Sequence, residues 1–127
     1  MFHPECGQEP QNFVRRLFER VGSVTIIKEE QCKPATVISS CQQALLLKYV
    51  QAAKEAGIKM GLTRQQVLSL TRQVMLGVAD MLDEDMNLDL EIDKVCTPGG
   101  MTIKGVTAME TEGVVGGLVK SFLACNQ

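Results

Sequence analysis

Histidine is all but missing from this chain: His3 is the only one in 127 residues, and it sits at the extreme N-terminus. Chemistry that relies on imidazole to move protons or hold zinc therefore has almost nothing to work with. Tryptophan is absent, and one tyrosine and four phenylalanines are the whole aromatic content, so aliphatic side chains and methionine must build the packed surfaces. The five cysteines, Cys6, Cys32, Cys41, Cys96 and Cys125, are odd in number and nowhere spaced as CxxC. That pattern excludes a disulfide framework and a cysteine zinc site, and leaves free, mostly buried thiols as the plain expectation. A surplus of either charge is also lacking. Thirteen basic against fifteen acidic residues give a net charge of −2, which argues against nucleic acid or an anionic membrane as partner. Arg15 and Arg16 read as the wet face of a helix. No apolar run approaches the roughly 20 residues that span a bilayer. The N-terminus lacks the basic and apolar regions of a signal peptide, so a cytoplasmic protein is expected.

The hydrophobic residues that are present recur mainly at helical spacing. Residues 11–21 form an amphipathic helix with Phe13, Val14, Leu17, Phe18 and Val21 on one face, between Pro10 and Gly22. Residues 23–28 are β-branched and alternating, which predicts a short strand. One strand makes no sheet, so either a second copy pairs with it or its proper sheet lies elsewhere. Residues 39–56 read as a longer helix ended by Gly57. Thr63 and Gln66 fit a capping box ahead of Val67, Leu70, Val74, Met75, Val78 and Met81, a helix to about residue 82. Asp83, Glu84 and Asp85 follow; acid there opposes the helix dipole, and a solvated turn is the simpler account. Leu88, Leu90 and Ile92 suit either a strand or a short helix to Val95. Beyond residue 102, Ile103, Val106 and Met109 share a helical face, Gly113 breaks it, and residues 114–125 resume it. Such broad apolar faces on a small chain predict an obligate homo-oligomer, most simply a two-fold dimer.

Between these helices runs Val95-Cys96-Thr97-Pro98-Gly99-Gly100-Met101-Thr102-Ile103-Lys104-Gly105. Pro98 blocks continuation of the helix before it. Gly99 and Gly100 turn the chain and admit close approach to the backbone. Thr102 then reads as the N-cap of the next helix, whose unpaired N–H groups favour a small carboxylate. On pattern alone, such a boundary is more often punctuation than a binding site.

Several of these segments together resemble pyrroline-5-carboxylate reductases. Residues 56–64, Ala-Gly-Ile-Lys-Met-Gly-Leu-Thr-Arg, are similar to that family's GGVKMGLPR turn, and residues 73–82 to the helix after it. Residues 95–105 resemble its VTSPGGTTIAG signature, and residues 108–114 its ALEKGGV. The resemblance runs from Thr36 to Lys120. It implies a mainly α fold: an interlocked helical dimerisation and substrate domain over residues 32–127. Residues 1–31, with helix 11–21 and strand 23–28, would be a remnant of the end of a Rossmann nucleotide-binding domain. By position, the loop hydroxyl of Thr97, with Gly99, Gly100, Met101 and Thr102, would hold the carboxylate of a proline-like ligand. Thr36, and Glu84 or Asp85, would lie near cofactor and substrate. The resemblance further implies a homodimer or larger assembly of dimers, and NADPH or NADH as cofactor of the full-length family, with none held by this chain alone because no Gly-rich dinucleotide fingerprint precedes residue 11.

At one place the chain departs from the family. Where reductases carry SGSGPAY, it reads Ser39-Ser40-Cys41-Gln42-Gln43-Ala44-Leu45, losing two glycines and a proline. A non-catalytic dimerisation module is therefore the alternative to the substrate half of an enzyme. A weaker third reading gives Cys41 or Cys96 a thiolate role, each lying near an expected helix start.

Overall fold

The computed structural model describes residues 6–127; His3 lies outside them. Seven α-helices account for most of these residues: α1 (Gln8–Phe18), α2 (Cys32–Thr36), α3 (Gln42–Lys59), α4 (Arg64–Met81), α5 (Leu88–Val95), α6 (Met101–Thr111) and α7 (Val114–Cys125). The expected mainly helical fold holds. The first helix begins three residues earlier than the periodicity placed it and stops at Phe18.

Residues 23–28 are not a strand: among the described residues no β-ladder exists. The reason is physical. A strand is defined by a partner strand's N–H and C=O groups, and among the described residues no other extended segment pairs with these six. A single turn of 3₁₀ helix (Glu29–Gln31) follows, its Gln31 Oε1 accepting from the Lys28 N–H at 2.9 Å.

The long helix also starts earlier than expected. From Cys32 the backbone stays right-handed helical through α2, a π-helical turn at Val37–Cys41, and α3 to Lys59. Pro34 is tolerated in the first turn, where its missing N–H would have had no helical acceptor. Ser39 is thus not a helix start, and Cys41 lies in mid-helix. Gly57 does not end α3 but sits inside it, buried. There it allows α4 to cross closely. A Cβ on Gly57 would overlap Cγ2 of Val67 and lie 3.2 Å from Cγ1.

The capping box ahead of α4 is present as the sequence predicts. The Gln66 N–H donates to Thr63 Oγ1 at 3.3 Å, and the Thr63 N–H donates to Gln66 Oε1 at 2.8 Å. Thr63→Ala removes the cap and is expected to cost about 1 kcal/mol of unfolding free energy, read as a lower urea midpoint. Leu88–Val95 is a helix rather than a strand, because Asn87 Oδ1 caps it by accepting from the Leu90 N–H at 3.2 Å.

The expected aliphatic core is not closed within one chain. Val37 and Val67 are the only buried hydrophobic side chains among the described residues. The surface measures 11027 Å², against ~6,700 Å² for a compact monomer of 13.9 kDa. Helices pack as α3 on α4, α6 on α7, and α7 on the π-helical turn, with α1 and α5 outside these pairings. An open assembly of apolar helices is therefore what one copy builds. No helix among the described residues is long and apolar enough to cross a membrane.

Candidate functional site

The chain leaves α5 at Val95 and turns sharply. Pro98 and Gly99 occupy the centre of a four-residue turn closed by the Gly100 N–H donating to the Thr97 carbonyl at 2.9 Å. Gly99 has φ +72°. Proline followed by a left-handed residue is a type II turn, and glycine adopts that second position without steric cost.

Gly100 then becomes extended (φ −69°, ψ 178°) and serves as the N-cap of α6. This corrects the expectation for Thr102, which stands one turn position inside the helix. The turn decides it: once residues 97–100 close on themselves, Met101 is the first residue free to take helical angles. Having no side chain, Gly100 makes no capping hydrogen bond, so the N–H groups of the first turn point outward unpaired. Met101 is 91% exposed and Thr102 is also exposed.

Thr97 comes back over this helix start. Its Oγ1 would lie 2.7 Å, and its carbonyl oxygen 3.0 Å, from a Cβ placed on Gly100. Thr97, Gly99, Gly100, Met101 and Thr102 are thereby gathered around one helix N-terminus. Its two hydroxyls, unpaired amides and positive dipole end can accept a carboxylate. No acidic residue lies within the first turn of α6.

The other expected residues lie on separate segments of the described chain. Thr36 ends α2, and its hydroxyl donates to the Cys32 carbonyl at 2.9 Å. That leaves only its lone pairs for anything else. Asp83, Glu84 and Asp85 form an exposed turn closed by the Met86 N–H on the Asp83 carbonyl at 3.2 Å. Cys41 and Cys96 are half-buried and unpaired, and neither is at a helix N-terminus: Cys41 is in the π-helical turn and Cys96 follows the last residue of α5. The geometric ground for a thiolate there is gone. Among the described residues no cluster of metal-binding side chains occurs. Two open surface depressions lie elsewhere, one lined by Leu62, Thr63, Gln65, Gln66, Ser69 and Leu70 and one by Asn12, Arg15, Arg16 and Glu19, and neither includes a residue of the loop.

The π-helical turn at Val37–Cys41 escaped the sequence reading altogether. Such turns mark places where an extra residue is accommodated inside a helix, commonly at functional positions. Here it occupies the stretch that departs from the reductase pattern, and α7 packs against it. No residue type in Val-Ile-Ser-Ser-Cys signals a π turn. The turn at Pro98-Gly99 was legible from its residue order, whereas the N-cap role was read onto Thr102 and falls on Gly100.

Comparison with known proteins matches residues 29–127 to the model described as pyrroline-5-carboxylate reductase dimerisation. Pyrroline-5-carboxylate reductase 1 of Dictyostelium discoideum is 30% identical over 110 residues, covering 86% of this chain and 20% of that protein. The putative pyrroline-5-carboxylate reductase 4 of Caenorhabditis elegans is 32% identical over 120 residues, covering 88% of this chain and 40% of its own length. A crystal structure of Plasmodium falciparum pyrroline carboxylate reductase with NADP bound superposes with a TM-score of 0.88 at 25% identity. It covers 98% of this chain and 50% of that one. The chain thus spans half or less of the length of each of these three proteins.

Proposed function

Because the chain belongs to the pyrroline-5-carboxylate reductase dimerisation family, we propose that it is the oligomerisation and substrate-binding half of a cytoplasmic reductase. That enzyme would reduce a cyclic imine carboxylate to L-proline with NADPH or NADH. The observation that carries this reading is the loop at residues 97–102. Its residue order resembles that of reductases, and it folds into a turn that leaves the first amides of α6 uncapped, with Thr97 beside them and Thr102 in the helix's first turn.

In this reading the substrate carboxylate accepts from the backbone N–H groups of Met101 and Thr102 and from the hydroxyls of Thr97 and Thr102. These charge-assisted bonds fix the ring's orientation. When bound, the nicotinamide supplies a hydride to the imine carbon. The described residues contain no strand–turn–helix cradle for its phosphates, so this chain's own part is to hold and orient the acid. Residues 1–31 are then the remnant of the nucleotide-binding domain, and the apolar helices close around a second copy. Thr36 and the acids Glu84 and Asp85 would reach cofactor or substrate only in that fuller assembly.

L-Proline serves as the probe. Weak, saturable binding by the purified chain is expected by NMR titration. Thr102→Ala should weaken it by about tenfold, the worth of a hydrogen bond to a charged group. Gly100→Ala forces a Cβ against Thr97 Oγ1 and its carbonyl, so it should abolish binding while leaving the oligomer intact. The absence of any proline binding would instead favour a non-catalytic homodimerisation module. The loss of glycine and proline at residues 39–45 speaks for that second reading.

A further inference from the structure

Between α2 and α3 the backbone carries one residue more than an α-helical turn would use. The Gln42 N–H donates to the carbonyls of Ser40 and of Val37, the second of them five residues back. Just before the turn, the Val37 N–H is shared between the Lys33 and Pro34 carbonyls. A wide turn leaves a helical carbonyl short of a donor, so the same residues prefer an α-helical course unless packing holds the turn open. Packing does so here. Val37 is buried, and α7 packs on the turn. Ser121 and Phe122 are the half-buried residues of α7. By contrast, α2 packs against the 3₁₀ turn before it and the π-helical turn after it, and against no other helix to a comparable extent. The turn therefore sets its direction.

The sequence also permits the tighter course. Gln42 and Gln43 stand where the reductase pattern has glycine and proline. Proline at position 43 would lack the N–H a continuous helix uses, and glycine at 42 would weaken that helix. Two glutamines supply both donors, so both registers are open to this chain. We infer that Val37–Cys41 is a two-register hinge, kept in the wide register by α7. Without that packing the Gln42 N–H bonds the Ile38 carbonyl instead. Cys32–Thr36 then turns about 100° around the helix axis relative to α3 and moves ~1.5 Å along it. Because α7 also exposes Val115, Val119 and Leu123 to a second copy, the helix that pairs two copies also sets where Thr36 and the residues before it lie. This goes beyond the ligand reading and holds whether or not the loop at residues 97–102 binds an acid.

Scalar couplings across hydrogen bonds, measured by NMR on the isotope-labelled chain, identify the acceptor of each amide. The wild-type Gln42 amide is expected to couple to the Val37 carbonyl. Phe122→Ala thins the α7 contact and moves that coupling to Ile38. Residual dipolar couplings of the Lys33, Ala35 and Thr36 amides, set against those of α3, then report a rotation of roughly 100°. Phe122→Leu gives the same change in part, should the alanine variant fail to fold. Deleting Ser40 removes the spare residue, so the bond from Gln42 to Val37 becomes an ordinary α-helical one. The deletion variant keeps the wild-type direction of α2 and no longer responds to either Phe122 substitution. Three results overturn the inference: a wild-type Gln42 amide coupled to Ile38, Phe122 variants that keep the Val37 coupling, or a Ser40 deletion that turns α2.

Discussion

Val119→Glu is expected to turn a dimer of twice 13.9 kDa into an expanded monomer that no longer unfolds cooperatively. Val115, Val119 and Leu123 recur at four-residue intervals on α7 and are each more than half exposed in one copy. They form a stripe with Val119 at its centre, on a helix with no acidic residue and Lys120 as its single charge. Apolar surface of this extent is stable in water only when covered. A carboxylate at the centre of this stripe would be buried among aliphatic side chains once a second copy covers it, and burying it unpaired costs several kcal/mol. With little core inside each copy, losing the interface and losing the fold become one event. Sedimentation equilibrium combined with circular dichroism measures both. Lys48→Glu on α3, where Lys48 only bonds the exposed Gln51 at 3.1 Å, should leave the dimer unchanged. A wild-type chain that sediments as a compact, cooperative monomer would refute the assembly.

Gly57→Ala carries the second large effect. In an exposed helix the change would stabilise by up to about 1 kcal/mol through propensity. Here the new methyl group meets Cγ2 of Val67 where α3 and α4 cross closely. Overpacking a filled contact costs ~1–3 kcal/mol, which exceeds the propensity gain. The expected result is a fall of several degrees in melting temperature. Val67→Ala added to Gly57→Ala should recover part of the loss, giving a favourable coupling energy in a double-mutant cycle. A melting temperature equal to or above that of the wild type would show that α3 and α4 separate without cost.

Part of the architecture was legible in single residues. The Thr63–Gln66 capping box, the break at Gly113 (φ +65°) and the apolar rows of α4 and α7 follow from local rules, and the structure keeps them. The turn at residues 97–100 was legible as a turn. Its consequence, that the helix starts at Met101 and not beyond Thr102, required knowing that Pro98 and Gly99 would close it on Gly100. The helical stretch from Cys32 to Lys59 was cut short in the reading, which began it at Ser39 and ended it at Gly57. Packing of Val37 and α7 around the π-helical turn holds that stretch in helical form.

By itself the sequence determined where backbone can and cannot be helical, because capping, proline and glycine act within four residues of one another. It determined as well that the apolar surface was too broad for one small chain to bury, since burial depends on how many faces carry aliphatic side chains. Three things depended on long-range contact. They are the close crossing of Gly57 with Val67, the π-helical turn under α7, and the failure of residues 23–28 to be a strand. Each is settled by what stands opposite a residue in space. For residues 23–28 no strand stands opposite among the described residues, and a β-prone segment without a ladder partner stays outside any sheet.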